Sequence, residues 1–252
     1  MLAGLVVAVP LVPILVGVAF LAPGRAAPAR SGLLRPLSSP PSRLSAPAQK
    51  STDSKGALVA VVHHETTMLS APDGSEIATQ PTTTQFGSPS VLLVRRTKPG
   101  WLGVVSPLAG NGRLGWIRSS SSSLLHVDWQ LDVSLAKRRL TVLENGRLRR
   151  RYTVAVGSAA APTPTGVFAV TDRLRTGDPS GPYGCCILAL SALAPHAIQD
   201  WSGGNRIAIH STSETSSIGE AVSHGCLRLT LAEGQWLIDH VPLGTPTIIR
   251  ST

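Results

Sequence analysis

The sequence predicts a mostly-β protein with two strand-rich units, a single helix packed in the second unit, and an apolar segment at the N-terminus. Aromatic residues make up only 4% of the 252 residues, so the core must rely on Val, Ile and Leu, which favour strands. Short alternating segments separated by Gly, Pro and Asn turns recur from residue 56 onward. Only residues 230–241 combine helical spacing of apolar residues with a capping signal.

The N-terminal residues form two segments of different character. Residues 2–22 carry no charge and are long enough to span a bilayer as a helix. Residues 1–22 are therefore predicted to be a transmembrane anchor or a signal segment, and the small residues at 26–29 suit cleavage. The arginines that follow, such as Arg25 and Arg30, would by the positive-inside tendency keep the remainder in the cytoplasm. This tendency conflicts with the chemistry inferred below, which favours export, and export is the expectation. Residues 23–55 are rich in Pro, Ser and Ala, and we expect a disordered linker.

Residues 56–126 contain closely spaced short strands, which predict a small barrel. Within this region, three features occur in order: the segment from Trp101 to Val105, a Gly-Asn-Gly turn, and the segment Gly115-Trp116-Ile117. This order resembles bacterial SH3-like modules. An SH3-like β-barrel is the expectation, and a spacer barrel without a ligand is the alternative.

Residues 127–252 form the second unit, in which strands also dominate. Asn145-Gly146 lies between two alternating segments and predicts a tight hairpin. Thr230 can cap the helix, with Glu233 completing a capping box. Pro242 ends the helix, and a last strand follows it. The expected domain is therefore a β-fold with one helix packed across it.

The charge and the cysteines limit the functional classes. There are 23 Lys and Arg against 14 Asp and Glu, a formal charge of +9, which suits an anionic polymer, an anionic lipid surface or nucleic acid. No nucleic-acid motif accompanies the basic residues, so no nucleic-acid partner is expected. Three cysteines make a disulfide scaffold unexpected and leave at least one thiol free to react.

The segment from Ile207 to Leu229 carries the chemistry. An alternating apolar strand ends at His210, and Ser223-His224-Gly225-Cys226 follows after a polar loop. A thiol at its ordinary pKa of about 8.5 is only a few per cent thiolate at neutral pH, and a neighbouring imidazole activates it by accepting the proton. A glycine in the turn lets backbone amides converge on an attacked carbonyl.

This segment resembles the catalytic motif of the L,D-transpeptidases of the YkuD type. The residues from Ser223 to Arg228 match it, preceded by His210, as does the segment from Pro162 to Phe168 with its Thr-Pro-Thr-Gly loop. The segment Gly181–Gly184 resembles the part of these enzymes that faces the cleft. The resemblance covers residues 127–252 and implies the family's catalytic β-sandwich.

The resemblance also implies roles for individual residues. Cys226 would be the nucleophile and His210 its proton acceptor and later donor. Ser211 would orient His210 through its carbonyl. The backbone amides of His224, Gly225 and Cys226 would form the oxyanion hole. Ser223 would support this turn, and Arg228 would support the loop or the substrate carboxylate. Tyr183 and Trp201 are candidates for the border of the cleft.

The reaction implied is attack on the amide before D-alanine in a peptidoglycan stem tetrapeptide, followed by transfer of the acyl group to an amine of a second stem. Neither a metal nor another cofactor is expected. Carbapenem-type β-lactams would acylate the same thiol. The expected location is the cell envelope, either anchored in the membrane or secreted to the wall. The oligomeric state is not predicted.

Several alternatives remain at this stage. Hydrolysis in place of transfer would make the protein an L,D-carboxypeptidase, and loss of activity would leave a wall-binding scaffold. A zinc site from His210, His224 and Cys226 lacks a fourth ligand at metal-like spacing. A further alternative is that the protein is a cytosolic thiol hydrolase. Cys185 and Cys186 are expected to be small buried side chains, and a reversible disulfide from either to Cys226 is the alternative.

Overall fold

The computed structural model describes residues 56–195 and 204–252, together with the backbone of the short strand Arg35–Pro36. The predicted apolar segment 1–22, the other residues of the linker 23–55, and Trp201 lie outside the described residues. Within the described part of the chain, no helix is long and apolar enough to cross a membrane.

The strands of the first half, in chain order, are β1 Arg35–Pro36, β2 Ala57–Val62, β3 Thr66–Leu69, β4 Glu76–Gln80, β5 Val91–Lys98, β6 Trp101–Val105, β7 Gly115–Arg118 and β8 Ser122–Val127. The strands of the second half are β9 Trp129–Ser134, β10 Arg139–Glu144, β11 Arg147–Thr153, β12 Val156–Gly157, β13 Gly166–Arg175, β14 Cys186–Leu193, β15 Arg206–Ser211, β16 Ala221–Ser223, β17 Leu227–Leu229 and β18 Pro246–Arg250. The helix α1 spans Leu231–His240, and short 3₁₀ turns occupy Pro107–Ala109, Ser119–Ser121 and Thr215–Ser217.

The strands β2 to β8 form a separate seven-stranded sheet in the order β4-β3-β7-β6-β5-β2-β8. We call this part, Gly56–Val127, the N-terminal module. Its pairs are antiparallel, and it has its own apolar cluster around residues such as Val104 and Ile117. The strands predicted for this region are present, while the SH3-like assignment of the module remains a prediction.

The second half forms a β-sandwich whose two halves share the long strand β13. Its first residues pair with β18, and those after a register shift at Val170–Asp172 pair with β14. The strand order is β11-β10-β9-β18-β13-β14-β15-β17, with β1 also paired to β13. Apolar side chains of both halves, such as Leu131 and Val142 from one and Leu188 and Ile209 from the other, meet in one core. A bulge bends a strand, which allows it to serve both layers.

The predicted hairpin and helix are both present. Asn145 and Gly146 have positive φ angles of 52° and 70°, as a type I′ turn requires, and they join β10 to β11. Thr230 caps α1 and Glu233 closes the capping box. The buried residues of the helix are Gly234, Leu237 and Ile238.

Candidate active site

Two neighbouring strands place His210 and Cys226 on one face of the sandwich. Strand β15 pairs in parallel with β17, with His210 beside Arg228 and Ile209 beside Leu227. The side chains of Ile209 and Leu227 point into the core. Side chains alternate along a strand, so His210 and the residue that precedes Leu227, Cys226, project from the opposite face. Cys226 contacts Ala208 in a small cluster on that outer face.

The imidazole of His210 is held by the carbonyl of the next residue. His210 Nδ1 lies 2.8 Å from Ser211 O, so the tautomer that satisfies this bond carries its proton on Nδ1 and leaves Nε2 as an acceptor. The ring is buried and packs edge-on against Tyr183, with 5.0 Å between ring centroids. The pKa of His210 is lowered to about 4. Burial is the largest cause, the hydrogen bond with the Ser211 carbonyl opposes it, and the positive charge of Arg228 adds to it.

The thiol of Cys226 is also buried. The residue is 6% exposed. Burial raises the pKa of Cys226 to about 11, opposed by a backbone hydrogen bond with Ala208 and by the positive charge of Arg228. Burial thus shifts the pKa of both groups in the direction that favours the uncharged thiol and the uncharged imidazole.

Two hydroxyls, one at the end of β16 and one in the Thr-Pro-Thr-Gly loop, fix the turn before Cys226. Ser223 Oγ donates to Cys226 O at 2.6 Å and accepts from the Gly225 amide at 3.1 Å. From the Thr-Pro-Thr-Gly loop, Thr163 Oγ1 donates to Gly225 O at 2.9 Å. Gly225 itself has a φ of +109°, and a Cβ there would lie 2.8 Å from Ile207 Cδ1. Only glycine fits this position without strain.

Of the other predicted site residues, Arg228 lies at the site and His224 points to solvent. Arg228 pairs with the exposed Glu214 at 3.3 Å, and its backbone exchanges hydrogen bonds with Ala155. The side chain of His224 is exposed, so any contribution to the site comes from its backbone. Tyr183 borders the site as described above, and Trp201 lies outside the described residues. No group of three or more His, Cys, Asp or Glu side chains suited to a metal occurs among the residues described.

Cys185 and Cys186 form a disulfide with each other, which corrects the expectation of two small reduced side chains. This bond was not predicted from the sequence, because disulfides between adjacent cysteines are rare. The pair lies behind the active site, where the Cys186 amide donates to Ser211 Oγ at 3.1 Å and Cys185 Sγ lies 3.3 Å from the same oxygen. Cys226 remains the free cysteine, so the alternative bond to Cys226 is absent from this structure.

Three features of the site were not predicted from the sequence. The first is the role of the Thr163 hydroxyl, although its loop belongs to a matching motif. The second is Phe86 of the N-terminal module, which packs against the cluster that contains Cys226. The third is the buried pair of Asp172 and Arg206, 3.8 Å apart on the same face of the sandwich. A charged residue within an apolar strand was the available signal for the pair.

The second half of the chain is similar to a known family of catalytic domains. The L,D-transpeptidase catalytic domain family, YkuD, matches residues 128–249. The chain is 34% identical over 124 residues to the putative L,D-transpeptidase YkuD of Bacillus subtilis, covering 49% of this chain and 67% of the relative. It is 31% identical over 124 residues to L,D-transpeptidase 1 of Mycobacterium tuberculosis, covering 45% and 47%. The chain thus spans about two thirds of the Bacillus relative and about half of the mycobacterial one.

Two solved structures are more distant. One is L,D-transpeptidase 3 of Mycobacterium tuberculosis in complex with a faropenem-derived adduct, at 21% identity and a TM-score of 0.39, covering 54% of this chain and 73% of that one. The other is the catalytic domain of the E. faecium L,D-transpeptidase, at 21% identity and a TM-score of 0.35, covering 49% and 97%. On the strength of the family match and the Bacillus relative, this chain belongs to the YkuD family of L,D-transpeptidase catalytic domains.

Proposed function

We propose that this protein is a peptidoglycan L,D-transpeptidase that cross-links stem peptides through a thioester on Cys226. The observation that carries the proposal is the placement of Cys226 and His210 on one face of adjacent strands, with His210 Nδ1 bonded to Ser211 O. That bond fixes the imidazole in the orientation and tautomer of a general base.

The chemistry starts from the neutral pair. As the sulfur attacks the amide carbonyl before D-alanine, the thiol proton passes to His210 Nε2. The charged imidazole then gives this proton to the leaving nitrogen, so D-alanine departs as an amine and the acyl group remains on sulfur. The amine of a second stem attacks the thioester, loses its proton to His210, and regenerates the thiol. An uncharged resting pair suits this sequence because the imidazole carries charge only while the acyl group is transferred.

Backbone amides of the turn would stabilise the oxyanion. The Gly225 amide is bonded to Ser223 Oγ at 3.1 Å. Because this amide is already bonded, we assign the role of oxyanion donor to the amides of His224 and Cys226. Gly225 instead allows the backbone conformation of the turn. Ser223 keeps the support role expected of it. The charge of Arg228 opposes a charged His210 at rest and would favour a substrate carboxylate near the site.

The wider setting of the enzyme is part of the same proposal. Residues 56–126 would be an SH3-like module, residues 127–252 the catalytic domain, and residues 1–22 an export signal or a membrane anchor joined through the linker 23–55. The formal charge of +9 favours a location beside anionic wall polymers. A strained β-lactam carbonyl would acylate Cys226 in place of the stem amide.

A defined substrate tests the proposal. Incubation with a purified disaccharide tetrapeptide should release D-alanine and yield a cross-linked dimer, both resolved by mass spectrometry. Cys226→Ser and His210→Gln should abolish both products, whereas His126→Ala, on an exposed histidine of the N-terminal module, should not. Imipenem should add its mass once to the wild type and not to Cys226→Ser. Release of D-alanine without a dimer at any acceptor concentration would replace transfer by hydrolysis, and no release would refute the proposal.

A further inference from the structure

A loop of the N-terminal module reaches the catalytic face of the sandwich. Residues 83–89, which we call the tip loop, form a compact turn closed by a bridge between Thr83 and Pro89. Thr84 organises it: its hydroxyl accepts the amides of Phe86 and Ser88, both at 3.2 Å, and its carbonyl accepts the Gly87 amide at 3.0 Å. The turn therefore presents the Phe86 side chain in a defined direction.

The tip loop is tethered to the catalytic domain by a buried carboxylate. Thr84 Oγ1 donates a short hydrogen bond to Asp172 Oδ1. Asp172 is fully buried on β13 and lies 3.8 Å from the guanidinium of Arg206 on β15. A hydrogen bond to a charged, buried acceptor is stronger than a surface contact. This bond therefore fixes the position of the tip loop relative to the sandwich.

Phe86 packs against the cluster that contains the nucleophile. That cluster consists of Leu174, Ile187, Ala208 and Cys226, with Phe86 and Tyr183 against it. Ile187 lies directly opposite His210 in the pairing of β14 with β15, so the cluster and the imidazole share one face. Phe86 therefore borders the same site, although it belongs to the N-terminal module, which has its own sheet.

The arrangement leaves little room at the sulfur. Cys226 is 6% exposed, whereas a reacting carbonyl carbon must come within about 3–3.5 Å of the sulfur before attack. Tyr183, from the catalytic domain, and Phe86, from the module, both pack against the cluster that contains Cys226. A peptide that approaches the sulfur must therefore pass close to residues of both parts of the protein.

The tip loop also borders an open cavity. This cavity of about 390 Å³ is lined by Thr83 and Gln85 of the loop, by Leu108 of the module and by Arg206 of the sandwich. The loop is therefore held to the sandwich by the Thr84–Asp172 hydrogen bond and by the packing of Phe86, with open space beside Thr83 and Gln85.

We propose that Phe86 of the N-terminal module forms one wall of the substrate cleft and determines which acyl donors reach Cys226. The module then takes part in substrate selection as well as in any wall contact. This inference rests on the proposed function for the nature of the donor, but the control of access to the sulfur does not depend on it.

The rate of alkylation of Cys226 by iodoacetamide, followed by intact mass, tests access without any wall substrate. Phe86→Ala removes the ring that packs against the cluster and should raise this rate by about tenfold, whereas the larger ring of Phe86→Trp should lower it. The matched control, Ile77→Ala, removes a half-exposed apolar side chain of the same module and should leave the rate unchanged. Equal rates for the Ala, Phe and Trp forms would overturn the proposal.

A second measurement separates access from loss of structure and from failure of the proposed reaction. Local unfolding would raise the rate in Phe86→Ala and Phe86→Trp alike, so a faster Trp variant would overturn the proposal. With the disaccharide tetrapeptide and imipenem as donors, Phe86→Ala should change the ratio of the two acylation rates, while Ile77→Ala keeps it. If the wild type fails to process the tetrapeptide, the proposed function falls, but the alkylation series still decides the role of Phe86.

Discussion

Thr163 Oγ1 donates a 2.9 Å hydrogen bond to the carbonyl oxygen of Gly225, across a sequence separation of 62 residues. The same hydroxyl accepts the amide of Gly157 at 2.9 Å, and Thr163 is buried. One side chain thus joins the strand β12, the Thr-Pro-Thr-Gly loop and the turn that carries Cys226. The position of the nucleophile depends on this contact because Gly225 precedes it directly.

Replacing Thr163 with Val tests that dependence. The variant keeps the shape but leaves the Gly157 amide and the Gly225 carbonyl without their partner, which should cost about 1–3 kcal/mol in the free energy of unfolding. A turn displaced by even about 1 Å should lower the rate of acylation by imipenem roughly 100-fold. Thr165→Val, at an exposed position of the same loop, should change neither urea unfolding nor acylation measurably. A Thr163→Val protein that is acylated at the wild-type rate would show that the turn keeps its conformation without the Thr163 hydrogen bond.

The pairing of a buried thiol with a buried imidazole predicts the pH dependence of alkylation. Since burial raises the pKa of Cys226 to about 11, the thiolate fraction should grow about tenfold per pH unit between pH 7 and 10. The alkylation rate of Cys226 should follow it without a plateau. A plateau above an inflection near pH 6 would instead indicate a thiolate–imidazolium pair, which contradicts the neutral resting state. The His210→Gln variant should retain the same upward slope, because burial is the main cause of the shift.

The sequence predicted the strand that carries His210 but not the contacts that hold the site. The segment from Ile207 to His210 predicted a strand that ends at the imidazole, and strand β15 spans Arg206–Ser211. The bonds of Thr163 and the packing of Phe86 join segments far apart in the chain, and no local periodicity encodes such contacts. The Cys185–Cys186 bond was missed for a different reason, because the rarity of disulfides between neighbours outweighed the adjacency of the two thiols.

The disulfide between Cys185 and Cys186 predicts how many thiols react. Protein purified without reductant and denatured in excess iodoacetamide should gain one carbamidomethyl group, on Cys226, and three after reduction. The Cys226→Ser variant should gain none before reduction and two after it. Peptide mapping assigns each site. Three modified cysteines in the unreduced protein would refute the bond.

The buried pair of Asp172 and Arg206 predicts a large effect on stability. Both side chains are at most 6% exposed, and Arg206 also donates to the carbonyl of Leu190. Replacing Asp172 with Asn keeps an acceptor for the Thr84 hydroxyl but leaves the guanidinium buried without a counter-charge. We expect a loss of about 3–5 kcal/mol in the free energy of unfolding, measured with urea.

A double variant distinguishes loss of the ion pair from loss of packing. Combining Asp172→Asn with Arg206→Gln removes the uncompensated charge, so the double variant should lose less than the sum of the two single losses. Asp132→Asn is the matched surface control, because Asp132 faces Arg250 at 3.6 Å with the arginine half-exposed, and such pairs contribute about 0–1 kcal/mol. Strictly additive losses in the buried pair would mean that Asp172 and Arg206 are not coupled. Thr84→Val, which removes the hydroxyl whose bond Asp172→Asn keeps, measures the contribution of the Thr84–Asp172 bond separately.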